Sequence, residues 1–188
     1  MLQLASVMAR RRFDRTVGEY APLRIEFLPR VPSIDEALYW RATGPNQLLE
    51  VKLEARTGAL AEINVVLVAE GAVRAIPSVL NVHPVQDRTE GHPAFRIEPW
   101  KRKMGGRELV DPSLRRIDEE TKFELAIADD GVAVMIDGRP PTRVVVDDRA
   151  WFYFDSGDAL SAVVCELTAP DIRLLRDAYP GFGSVSRP

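Results

Sequence analysis

Residues 51–67 read VKLEARTGALAEINVVL, and residues 151–167 read WFYFDSGDALSAVVCEL. Offset by one hundred positions, Ala59 and Leu60 match Ala159 and Leu160, Ile63 meets Val163, and Leu67 matches Leu167. Each stretch is a strand-like run, a polar turn with glycine, and a second strand-like run. In the first, Leu49, Val51, Leu53 and Ala55 alternate with Glu50, Lys52, Glu54 and Arg56. A period of two with one charged face predicts a half-buried antiparallel strand. In the second, Trp151 and Tyr153 share one face while Phe152 and Phe154 share the other. Both of its faces are apolar, and both need cover.

Working outward, the expected fold is β-rich α+β. Mainly antiparallel sheets pack as a sandwich or partly open barrel, from two halves that read as duplicated, with a C-terminal helix. Residues 1–20 read as a basic, partly helical lead-in to one globular domain over 21–188. Within that domain, halves 21–69 and 117–179 are joined by the Pro/Gly-rich segment 70–116. Leu23 to Leu28 is a strand closed by Pro29 and Pro32. Over 33–44, Ser33 and Glu36 have capping-box spacing and Gly44 could stop a helix, yet Leu38, Trp40 and Ala42 alternate as in a strand. The strand reading is favoured. Thr121 to Leu167 reads as a meander, with Asp130-Gly131 as a hairpin turn needing positive φ. Asp111-Pro112 caps a turn of helix. Thr168, Pro170 and Asp171 start the final helix, which buries Ile172, Leu175 and Tyr179 and stops at Pro180-Gly181. The segment from 70 to 112 reads as irregular, with one short strand at Ala94 to Ile97, and is where specificity is expected.

The 188 residues carry a formal charge of −3, with 46% apolar and 28% charged residues. That balance suits a globular protein and speaks against nucleic acid as the partner. Arg10, Arg11, Arg12 and Arg15, and the second run Lys101, Arg102, Lys103 and Arg107, read as solvated surface. Met1 to Ala9 precedes the first arginines, the reverse of a signal peptide, and no apolar run approaches the ~20 residues of a membrane span. Cys165 is the one cysteine. A lone thiol in an apolar run fits a core position in a reducing compartment, so the expectation is a cytoplasmic protein with no membrane association.

No motif announces chemistry. His83 and His92 lie near Asp87 and Glu90, but their spacing forms no HExxH or HxH motif, and loop histidines are the simpler reading. Asp137, Asp147, Asp148, Asp155 and Asp158 sit at strand ends, where aspartate favours turns. There is no GxSxG, and Gly105-Gly106 lacks the Lys-Ser/Thr of a phosphate-binding loop. No catalytic residue, metal or cofactor is therefore assigned. The candidates for contact with a ligand or partner are the aromatics Trp151, Phe152, Tyr153 and Phe154, together with His83, His92 and Arg102. The expected function is a non-enzymatic, bacterial-type binding protein for a protein partner, a second copy of itself, or a small apolar ligand. The alternative is a small metabolite enzyme with arginine anchors and an Asp or His acid–base group.

Overall fold

The computed structural model describes residues 1–18, 22–28, 37–79, 85–104 and 106–179. The expectations at Pro29, Pro32, Ser33, Glu36, His83, Gly105 and Pro180-Gly181 lie outside the described residues. The strands are β1 (Leu4–Met8), β2 (Phe13–Thr16), β3 (Leu23–Phe27), β4 (Ala37–Gly44), β5 (Gln47–Glu54), β6 (Leu60–Leu67), β7 (Val73–Ala75), β8 (Asp87–Glu90), β9 (His92–Phe95), β10 (Lys101–Met104), β11 (Arg107–Val110), β12 (Arg116–Glu120), β13 (Phe123–Ile127), β14 (Gly131–Ile136), β15 (Arg143–Asp147), β16 (Ala150–Phe154) and β17 (Leu160–Glu166), followed by helix α1 (Ala169–Asp177). Among the described residues no helix is long and apolar enough to cross a membrane.

The expected β-rich α+β sandwich is what forms, and the sheets do not close into a barrel. One sheet has six strands in the order β2-β3-β6-β5-β4-β12, and the other has seven in the order β7-β13-β14-β17-β16-β15-β8. Five consecutive strands therefore take the same order in each sheet: β2-β3-β6-β5-β4 and β13-β14-β17-β16-β15. Each set is extended by a parallel strand from the middle of the chain, β12 beside β4 and β8 beside β15. The meander expected over 121–167 is corrected: β17 inserts between β14 and β16, giving a Greek-key order.

The quoted stretches are the hairpins β5–β6 and β16–β17, and they share local geometry. The Glu54 N–H donates to Ala59 O, and the Asp155 N–H donates to Ala159 O, both at 2.9 Å. Gly58 and Asp158 both have positive φ, 71° and 60°. Each then accepts from the separate β1–β9 ribbon. Gly58 O accepts from the Phe95 N–H and Asp158 O from the Leu4 N–H, both at 2.8 Å. Leu4 and Phe95 are themselves register partners, so the ribbon ties the two hairpins together in matching ways. Glycine is required at 58, because a Cβ there would sit 2.0 Å from Phe95 O.

Packing follows the alternation. Leu49, Val51 and Leu53 of β5 face the seven-stranded sheet, and its Val134, Phe152, Phe154 and Val163 face back in one continuous core. The other face of the seven-stranded sheet carries Ala126, Ala133, Val144, Val146, Tyr153 and Val164. Its cover comes from the chain that joins the sheet's opposite edges, β7 and β8, through Ile76, Val79 and Val85. Helix α1 instead adds Ile172 and Leu175 to the core between the sheets. It begins at the expected Thr168, where Thr168 and Asp171 close a capping box.

Three other expectations change. Residues 1–18 form β1 and β2 and no helix, because β1 pairs with β9 and β2 with β3, and three of their arginines bond to the rest of the chain. Arg11 pairs with Glu54 at 2.7 Å, Arg15 with Asp171 at 3.0 Å, and Arg10 with Glu90. The segment from 70 to 112 carries β7 to β11 where an irregular stretch was expected. Asp130-Gly131 turns without positive φ. Glycine is needed at 131 for space, since a Cβ would lie 2.3 Å from Cys165 O. The Asp130 carboxylate meanwhile accepts from the Ser78 hydroxyl and the Val79 N–H, anchoring the covering segment.

Candidate functional site

The sequence candidates fall in separate places. Phe152 and Phe154 are sealed between the sheets, with ring centroids 5.7 Å from Phe27 and 6.1 Å from Phe95 respectively. Tyr153 is buried under the covering segment, and that burial pushes its phenol up, while Trp151 beside it is half-buried. Arg102 is exposed on the β10–β11 ribbon, where it pairs with Asp111 at 3.0 Å. His83 lies outside the described residues.

His92 overturns the loop-histidine expectation. It begins β9 with no exposed surface, and so does its partner Asp147 at the end of β15. His92 Nδ1 lies 2.6 Å from Asp147 Oδ2, and His92 Nε2 lies 2.7 Å from Leu60 O. A carbonyl can only accept, so Nε2 carries a hydrogen. The imidazole–carboxylate contact must then hold one further proton between them. The Arg11 N–H donates to Asp147 at 3.0 Å, and the Phe27 ring lies 5.0 Å from the imidazole. The Arg11 guanidinium continues to Glu54. Burial by itself would raise Glu54, but hydrogen bonds from Arg11 and Thr57 outweigh it and hold the carboxyl below its ordinary range. This network joins β6 of one sheet to β15 of the other through β9. Asp147, expected to be a turn former, is a structural clasp. A histidine with both nitrogens engaged and no exposed surface offers no base to a substrate.

Two clefts open elsewhere. One, of about 530 Å³, is lined by Arg74, Lys122, Glu124, Asp137, Arg139 and Ser161. Its arginines are largely neutralised by their own chain. Arg139 pairs with Asp137 at 3.0 Å and Asp155 at 3.1 Å, and Arg74 with Glu124 at 3.5 Å.

The other cleft, of about 470 Å³, lies where the start of β1 and the chain after β9 meet the β4–β12 edge. Its walls include Leu2, Trp40, Pro99, Trp100 and Ile117, with Gln3, Arg96 and Glu98 among its polar residues. Local rules place each wall. Trp40 alternates inward on β4, and Ile117 of β12 is its register partner. Pro99 sits in the first turn of a short 3-10 helix at Glu98–Trp100, where a missing N–H costs nothing. That turn delivers Trp100, which is 2% exposed. The Trp40 indole N–H donates to Glu119 at 2.7 Å, and the Met1 ammonium also pairs with Glu119. Burial would raise Glu119, but these two donors prevail and hold it below the ordinary carboxylate range. The Trp100 indole N–H is buried and has no acceptor among the described residues. An unpaired buried donor is uncommon in folded proteins.

Compared with known proteins, the chain matches no family model and no curated sequence. The Trp40–Trp100 cleft escaped sequence reading because its walls come from chain segments sixty positions apart. The one available signal was that two of the three tryptophans lie outside the quoted stretches, at Trp40 and Trp100.

Proposed function

We propose that this protein is a non-enzymatic binding protein and that the Trp40–Trp100 cleft takes a small, flat, apolar ligand. The carrying observation is the cleft itself. It has a volume of about 470 Å³, two tryptophans in its walls, and one buried indole N–H without an acceptor among the described residues. Ligand sites are commonly clefts of about 300–1,000 Å³ with apolar and aromatic walls and few polar groups. The enzyme alternative needs an accessible acid–base group beside an anchor. The described histidine is sealed, and both arginines of the other cleft are engaged by carboxylates of their own chain.

We also read the two five-strand units as an internal duplication. Their shared strand order and the matched contacts of Gly58 and Asp158 with the ribbon support it. We take the compartment to be the cytoplasm, since a lone thiol there stays reduced. Burial pushes the Cys165 thiol up to about 12, which leaves it an inert core group.

The test is a thermal-shift and tryptophan-emission titration with neutral indoles and naphthalenes. Saturable binding that Ile117→Glu abolishes without unfolding the protein supports the reading. No response from any compound overturns it.

A further inference from the structure

We infer that the ligand of this cleft carries a single carboxylate on its flat apolar body, with Arg96 as the anchor. The inference rests on the ligand-site reading above and adds its chemical class.

The argument starts from strand alternation. Phe95, the last residue of β9, points into the core with 1% exposure. The next residue, Arg96, therefore points outward. Its backbone is fixed, because the Arg96 N–H donates to Gln3 O at 2.8 Å. Its side chain is exposed and makes no hydrogen bond or ion pair among the described residues. That sets it apart from Arg11, Arg15, Arg24, Arg41, Arg139 and Arg143, each of which pairs with a carboxylate of its own chain. Arg96 is also the only cationic side chain in the described lining of this cleft.

A guanidinium presents a planar fork that matches a carboxylate with two parallel hydrogen bonds. The charge count favours a single negative charge. Glu98 belongs to the same lining, and Glu119 stands behind Trp40. The Met1 ammonium already offsets Glu119, and Lys101 lies 3.9 Å from Glu98, so Arg96 is the one positive charge of the lining left to match and a doubly charged phosphate would exceed it. Flat apolar walls beside one free fork thus fit an aromatic or fused-ring monocarboxylic acid.

The test is isothermal titration of the full chain with three probes of one shape: indole-3-acetate, neutral 3-methylindole and cationic tryptamine. Wild type, Arg96→Leu and Arg96→Lys are compared, with melting temperature confirming that each variant is folded. Indole-3-acetate is expected to bind about tenfold or more tighter than 3-methylindole, as a charge-assisted pair allows. Arg96→Leu should erase that gap and leave 3-methylindole unchanged, and Arg96→Lys should restore part of it. Equal affinity for acid and neutral probes overturns the carboxylate inference while the ligand site stands. An acid preference that survives Arg96→Leu overturns Arg96 as the anchor. Binding by none of the three overturns the inference together with the ligand-site reading.

Discussion

The outer faces of the two sheets are built on the same strand order and have opposite surfaces. Across the six-stranded sheet, one register row runs Asp118, Arg41, Glu50, Asn64, Arg24. The next runs Arg116, Tyr39, Lys52, Glu62, Glu26. Neighbours in these rows neutralise one another: Arg24 reaches Glu62 at 2.9 Å and Glu26 at 2.8 Å. Across the seven-stranded sheet the corresponding face reads Ala133, Val164, Trp151 and Val146 in one row. That row cannot face water at such a density of apolar groups, and the chain around Ile76, Val79 and Val85 lies over it. Strand order is thus compatible with either surface. What decides is the residue type at alternate positions, and a covering segment follows from it.

Position 64 and position 164 hold the comparison in a single pair. Asn64 sits between Glu50 and Arg24, and Val164 between Ala133 and Trp151. Val164→Asp should be the most damaging change, because it buries a carboxylate with no partner. A loss on the order of 3–5 kcal/mol is expected in chemical denaturation. Asn64→Val should be neutral or stabilising by up to ~1 kcal/mol, since the Asn64 carbonyl oxygen is already buried without a donor among the described residues. If the two substitutions cost the same, the outer faces do not differ as described.

The clasp between the sheets comes next. Asp147→Ala strips His92 and the Arg11 N–H of their shared acceptor and should also cost about 3–5 kcal/mol. Asp147→Asn should cost much less, about 1–2 kcal/mol. Its amide can donate to a neutral imidazole while its carbonyl accepts from Arg11. Equal losses for the two variants would count against the hydrogen-bond pattern. Gly131→Ala tests close packing between β14 and β17. Its Cβ would press on Cys165 O and on Val79 of the covering segment, for a cost of about 1–3 kcal/mol. A melting curve unchanged from wild type would contradict that contact.

The smallest expected loss carries a pH signature. Glu54 is held below its ordinary range, so the unfolded chain binds its proton more readily than the folded one. Its stabilisation is full above the unfolded carboxyl value and is lost as pH falls through the lower folded value. Glu54→Gln should therefore cost about 1 kcal/mol near neutrality and progressively less below about pH 4. A difference that stays constant into acid would show that the charge on Glu54 is not what matters.

The strands of the five-strand units were legible wherever alternation or apolar runs reach five residues, as in β5 and β16. The helix start at Thr168 was legible because its signal is local. Strand order was not, because the insertion of β17 beside β14 depends on distant register. The parallel edges β8 and β12 read DRTE and RIDEE, charged runs in which Ile117 is the one large apolar residue. Their side-chain partners, Trp40 and Arg41 for β12 and Arg143 for β8, lie far away in sequence, so the local pattern does not advertise the pairing. His92 looked like a surface residue because its partner, Asp147, lies 55 positions away. The Trp40–Trp100 cleft was hidden for the same reason.

The parallel strand β12 has a consequence for the order of events on the ribosome. The strands β2 to β6 emerge first, but the partner that covers the β4 edge arrives only with residues 116–120. Until then that edge offers a row of unpaired backbone donors and acceptors to any neighbouring strand. The other sheet has the reverse arrangement, since β8 is made before the β15 it protects. Truncation after the first half should consequently leave a chain prone to self-association, and the hazard should end once β12 is in place.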